Sequence, residues 1–192
     1  MMDQLINDAL NCKICEAHLP YAPRPVFSVH PIAKILIVGQ APGRKVNESG
    51  IPWADASGQR LRNWLGVEAI TFYDPTIFSL LPMGFCFPGT GKSGDLPPRP
   101  ECAPKWHDLF IRMMSEIKLT LLFGQYAQER YLGKSKKKTL TETVRHWKEY
   151  APQYLPLPHP SPRNQLWERK NLWFGEEVLP FLKEAVNRVI SQ

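Results

Sequence analysis

Apolar positions along this chain fall into two rhythms. The short run Ala33-Lys34-Ile35-Leu36-Ile37-Val38, rich in β-branched residues and closed by Gly39, predicts a strand buried on both faces, most simply a parallel one. Leu119–Phe123 before Gly124 predicts another of the same kind, and Thr76–Leu81, cut by Pro82, a third. Tyr154–Pro158 carries two prolines, which cannot donate to a ladder, so it predicts a strand only at a sheet edge or terminus. Helical periodicity marks Asp3–Leu10, Gly58–Leu65 with Gly66 as its stop, Lys105–Lys118, Gln125–Tyr131 and Gly175–Ile190. The last of these sets Val178, Leu182, Ala185 and Val189 on one face. Strands alternating with helices imply a three-layer α/β/α sandwich around a small, mostly parallel sheet, built as a single domain over residues 1–192.

Three segments lack either rhythm. Pro20–Pro31 predicts an extended arm across the surface, Gln40–Ser57 a loop, and Gly84–Pro104 a longer loop crowded with proline and glycine. A loop of that length inside a compact domain is functional or pinned by something.

Composition sharpens this picture only in places. The 192 residues include 19 prolines, about twice the usual ~5%, so much of the loop structure has fixed shape. A net charge of +6 permits a polyanionic partner without naming one. The run Lys134–Lys138 reads first as a solvated turn and second as a phosphate contact. No run of about 18 apolar residues is present, and the start MMDQLINDALN lacks the basic-then-apolar order of a signal peptide. The expectation is a cytoplasmic monomer with no membrane partner, in a compartment where thiols stay reduced.

The four cysteines then acquire meaning. Cys12 and Cys15 form a C-x2-C pair, and Cys86 and Cys102 stand at the two sides of the proline-rich loop. Two sulfurs from one tight turn and two from the loop ends can meet on one metal group, which would pin the loop. Zinc and an iron-sulfur cluster both suit four thiolates. In an open α/β sheet ligands collect at the carboxyl ends of strands, where Val38-Gly39-Gln40-Ala41-Pro42-Gly43 offers backbone N–H groups in a tight turn.

Gly39-Gln-Ala-Pro-Gly43, Gly50-Ile-Pro-Trp-Ala-Asp-Ala-Ser-Gly58 and His159-Pro-Ser-Pro-Arg-Asn164 together resemble the signature motifs of the uracil-DNA glycosylase superfamily. The cysteine pattern is similar to that of its iron-sulfur families, the fourth and fifth. The resemblance spans Cys12 to about Asn164 and implies removal of uracil, or a related deaminated base, from DNA by base flipping and water attack at C1′. It implies that Cys12, Cys15, Cys86 and Cys102 ligate a structural 4Fe-4S cluster. Gly39 to Gly43 become the water-activating loop, with Gln40 and the Ala41 backbone near the pyrimidine carbonyl and Pro42 between them and the glycine. Trp53 takes the place of a base-stacking phenylalanine, and His159 donates to the base O2. Ser161, Pro162, Arg163 and Asn164 belong to the loop that enters the minor groove.

Three departures matter. The acidic pair that usually continues the first motif of the fourth family is Val46-Asn47 here, with Glu48 one residue beyond. Asp55, in a run similar to that of the fifth family, is therefore the first candidate for positioning water and Glu48 the second. The uracil-reading asparagine is replaced by Pro82, and the second motif is closer to the single-strand-selective glycosylases. Taken singly, each residue has a plainer role: Asp55 as a helix N-cap, Trp53 as core, His159 as a loop residue. His18, His30, His107, His146 and Trp106 have no metal-site spacing and read as structural. A non-hydrolytic or covalently capturing DNA-binding protein of the same fold is the alternative function.

Overall fold

The computed structural model describes residues 1–192. Its strands are β1 (Ile35–Val38), β2 (Phe78–Leu80), β3 (Thr90–Gly91), β4 (Gly94–Asp95), β5 (Leu119–Phe123) and β6 (Tyr154–Leu157). The helices are α1 (Met2–Leu10), α2 (Arg44–Ser49), α3 (Ala56–Leu65), α4 (Ala69–Phe72), α5 (Cys102–Met113), α6 (Gln125–Leu132), α7 (Leu140–Arg145), α8 (Gln165–Lys170) and α9 (Leu179–Ile190). The central sheet runs β2-β1-β5-β6 with every pairing parallel.

All of β1 is buried because both faces of the sheet are covered. Ile35 and Ile37 point into a core made with Leu61, Trp64 and Leu65 of α3 and Leu182, Val186 and Val189 of α9. Leu36 and Val38 point the other way, against Trp106 and Phe110 of α5, Ala127 and Leu132 of α6 and Ala9 of α1. That alternation produces the expected α/β/α layering. β6 accommodates Pro156 because it is an edge strand, paired only with β5. The proline-rich arm covers the opposite edge: Ser28 bridges Leu80 in antiparallel fashion, and the Val26 N–H donates to the Phe85 carbonyl at 2.7 Å.

Several boundaries differ from the sequence expectation. The segment 40–57 is not all loop, since it contains α2, a polar helix that buries only Val46 and so shows no apolar period. Residues 84–104 contain the β3–β4 hairpin, whose strands are too short to leave a pattern. The helix expected over Lys105–Lys118 begins at Cys102 and ends at Met113, with Pro104 tolerated in its first turn. In the closing helix a π-helical turn at Phe174–Val178 precedes α9, and Val186 takes the fully buried place expected of Ala185.

One buried polar group ties the core to the strand ends. His107 on α5 is fully enclosed, with Nε2 3.0 Å from the Pro82 carbonyl and Nδ1 2.8 Å from the Tyr131 hydroxyl. A carbonyl can only accept, so Nε2 carries a proton, and in the neutral ring that burial favours Tyr131 donates to Nδ1. Burial holds its pKa down at about 4. The unfolded chain, where the histidine titrates near its ordinary 6.5, therefore binds more protons than the native state between about pH 6.5 and 4. Stability is expected to fall as pH drops through that window, by up to about 3 kcal/mol from this residue. Thermal melts across the window should show a shallower decline for His107→Gln than for the wild type.

Candidate active site

The chain enters the sheet at β1, steps to β2 on one side, then crosses to β5 on the other, so the end of β1 is a topological switch point. A cavity of about 420 Å³ opens there, within the usual range for small-molecule pockets. Its walls contain Gly39, Gln40, Ala41, Pro42 and Gly43 after β1, Trp53, Asp55 and Ser57 before and within α3, Pro82 after β2, and His159, Ser161, Arg163 and Asn164 after β6. Segments 120 residues apart in sequence thus meet because three parallel strands end on one side of the sheet.

The first loop is held by an extension of the β1–β2 ladder. The Gly39 carbonyl accepts from Met83 N–H at 2.9 Å and the Gln40 carbonyl from Gly84 N–H at 3.0 Å. Gly39 is required by close approach: a Cβ there would lie 2.8 Å from Cζ2 of the Trp53 indole. Trp53 adopts φ +58, a left-handed conformation that is costly for a bulky side chain. It is stabilised by its surroundings. Its ring stacks on His159 with centroids 5.6 Å apart and planes 27° apart, and meets the edge of Phe123 at 5.9 Å. Its carbonyl lies 3.4 Å from the Arg62 guanidinium, and the same carbonyl would sit 1.7 Å from a Cβ placed on Gly58.

Asp55 is the N-cap of α3, its Oδ1 accepting from the Gly58 N–H at 2.9 Å. The plainer role is therefore real, and it coexists with a place in the cavity wall. His159 is displaced downward in pKa mainly by burial, with Asp55 opposing, which keeps the ring neutral near pH 7. Neither of its ring nitrogens engages a protein partner. The loop that carries it is self-bracing: Asn164 Nδ2 donates to the His159 carbonyl at 2.7 Å, and Ser161 Oγ accepts from the Arg163 N–H at 3.3 Å. The Asn164 amide is accordingly committed to holding His159 in position.

Glu48 does not join these residues. It is exposed on α2, outside the cavity, and only its backbone carbonyl is engaged, by the Arg24 guanidinium at 2.9 Å. Val46, two residues before it on the other side of α2, lines the cavity instead and brings no charge. Sequence reasoning missed a wall of the pocket formed by Ser93, Gly94, Asp95 and Leu96 from the β3–β4 hairpin. A Gly-Lys-Ser-Gly turn between Thr90 and Asp95 was the available signal for that hairpin.

The lysine run behaves as a solvated turn in part, since Lys137 pairs with Glu149. His30 and His146 bind backbone within their own turns. Trp106 packs in the core beside Phe110, its ring N–H without a partner.

All four cysteines are free thiols. They come from the turn after α1, the loop after β2 and the first turn of α5. Each of Cys15, Cys86 and Cys102 feels Cys12 electrostatically. Burial pushes Cys86 up to about 11 and Cys102 up to about 12, so both remain thiols without a cationic partner. The Phe85 N–H already donates to Cys102 Sγ at 3.3 Å. No three His, Cys, Asp or Glu side chains converge on a point that would hold a single metal ion.

An α/β/α sandwich with its pocket at the switch point defines a class of ligand-binding α/β proteins. The model of the Uracil DNA glycosylase superfamily matches residues 27–183, and the chain belongs to that superfamily. The match begins after Cys12 and Cys15. Among curated relatives, the Type-4 uracil-DNA glycosylase of Archaeoglobus fulgidus is 25% identical over 130 residues, 67% of this chain. The chain spans 62% of that relative's length.

Proposed function

We propose that the protein is a monofunctional N-glycosylase that removes uracil, or a related deaminated base, from DNA and leaves an abasic site. The observation that carries this reading is the meeting, in one cavity, of the Gly39–Gly43 turn, Trp53, Asp55 and the His159–Asn164 loop. Breaking a bond from C1′ to a pyrimidine nitrogen sends negative charge onto the base O2 and positive charge onto the sugar. A neutral His159 with unengaged ring nitrogens can donate to that O2. Trp53 supplies a π face for the extruded base, and the backbone of Ala41 with the side chain of Gln40 frames the carbonyl edge. Asp55, through the oxygen that does not cap α3, faces the sugar side. Ser161, Pro162 and Arg163 fill the gap left by the flipped nucleotide. Pro82 contributes no amide, so the pocket tolerates more than uracil.

Four thiols brought from the turn after α1, the loop after β2 and the start of α5 fit a soft, sulfur-ligated group. We assign Cys12, Cys15, Cys86 and Cys102 as ligands of a 4Fe-4S cluster. Zinc is the alternative, since four thiolates suit either group. When bound, the group supplies no step of the hydrolysis and ties α1, the loop after β2 and α5 together. Purified protein is expected to absorb near ~400 nm, and Cys86→Ser or Cys102→Ser to lose that band and melt at lower temperature. Colourless protein that contains zinc would overturn the cluster assignment.

No helix is long and apolar enough to cross a membrane, and the protein is proposed to act as a single-domain cytoplasmic monomer. The test is a panel of oligonucleotides bearing uracil, hypoxanthine or xanthine, single-stranded and duplex, treated with protein and then alkali. Scission at uracil supports hydrolysis, an SDS-resistant shifted band means covalent capture through His159, and an intact strand with retained binding means a non-hydrolytic binder.

A further inference from the structure

The β3–β4 hairpin brings to the cavity a carboxylate that neither motif loop supplies. Asp95 lines the cavity mouth beside Gly43, and a Cβ on Gly43 would lie 3.2 Å from Asp95 Oδ2. Next to it, Gly94 at φ +135 leaves room for Arg163, whose Nη1 would meet a Cβ there at 2.6 Å. Arg163 thus crosses the hairpin, yet forms no ion pair with Asp95, and no hydrogen bond engages the Asp95 side chain. The other pocket carboxylate, Asp55, has one oxygen occupied by the α3 cap.

An unpaired carboxylate at the mouth of a pocket that admits a polyanion weakens binding. It becomes favourable when positive charge develops beside it, and an oxocarbenium-like sugar provides that charge.

We infer that Asp95 is a catalytic carboxylate of this pocket, holding the attacking water and stabilising the sugar cation from the side of Gly43. This rests on the N-glycosylase reading. In the step, the water oxygen bonds to C1′ as the C1′–N bond breaks, and that bond's electron pair leaves on the base towards O2. The water proton passes to Asp95 and then to solvent, and the departing base later takes a proton from solvent. No redox partner is needed.

The test compares wild type, D95N and D95E in single-turnover base release from a uracil oligonucleotide, with affinity for the uracil-free oligonucleotide measured by fluorescence anisotropy. Asp95 is exposed on a hairpin, so both variants are expected to fold, checked by melting. D95N should release base at least 100-fold more slowly while binding DNA as tightly as wild type or more tightly, and D95E should recover part of the rate. A D95N rate within threefold of an active wild type overturns the inference alone. Rate, affinity and melting temperature falling together also overturn it, in favour of a structural hairpin. A wild type that releases no base removes the glycosylase reading and this inference with it.

Discussion

His159→Ala is expected to slow single-turnover base release by roughly 10²–10³-fold, the usual loss when one donor to a developing oxyanion is removed. The geometry makes this effect specific to chemistry. The loop backbone is braced by Asn164 on the His159 carbonyl and by the Ser161 hydroxyl, contacts that alanine leaves in place. Affinity for uracil-free DNA, measured by anisotropy, should stay within a few fold of wild type. The stacking of Trp53 on the imidazole is lost as well, so tryptophan fluorescence should change while far-UV circular dichroism does not. Equal losses in rate and affinity would contradict the donor role and return His159 to a loop-shaping one.

Gly58→Ala is the substitution expected to damage the fold most. A Cβ there would stand 1.7 Å from the Trp53 carbonyl oxygen and 2.6 Å from its carbonyl carbon, backbone atoms that no rotamer change can move aside. The Gly58 N–H is also the donor to Asp55 Oδ1, so displacing this turn disturbs the α3 cap. The expected loss is about 3 kcal/mol, a drop on the order of 10 °C in Tm for a chain of this size. Because the strained Trp53 backbone is held by the same turn, base release should fall further than stability alone explains. A variant that melts within 2 °C of wild type, on the scale of a surface substitution, would show that the Trp53 turn is held elsewhere.

Much of the layering was legible because local pattern and tertiary environment agree. Ile35–Val38 reads as a fully buried strand, and its alternate residues do face two different cores. Tyr154–Leu157 was readable as an edge strand because proline excludes the alternatives. The residues of the motif loops could be named through their resemblance to the uracil-DNA glycosylase signature motifs, since taken singly Trp53, Asp55 and His159 read as core, cap and loop residue. Their meeting was implied by a parallel sheet whose strands end together.

What escaped is whatever depends on contacts between distant segments. Nothing local distinguishes Asp95 from any hairpin carboxylate, or shows that Arg163 lies across Gly94. Glu48 and Val46 sit two residues apart, and only the orientation of α2 decides that the apolar one faces the cavity. Asp55 looked like a choice between cap and site, whereas a carboxylate has two oxygens and the structure uses one for the cap. His107 had no sequence partner because its partners, Tyr131 and the Pro82 carbonyl, lie 24 and 25 residues away.

The most direct measurement of the central claim is the identity of the products from a single uracil-containing strand under single turnover. Mass spectrometry should find free uracil and an unbroken strand carrying one abasic site, in equal amounts, before any alkali is added. Intact uracil-containing strand after long incubation with excess protein would contradict the claim that this pocket breaks the glycosidic bond.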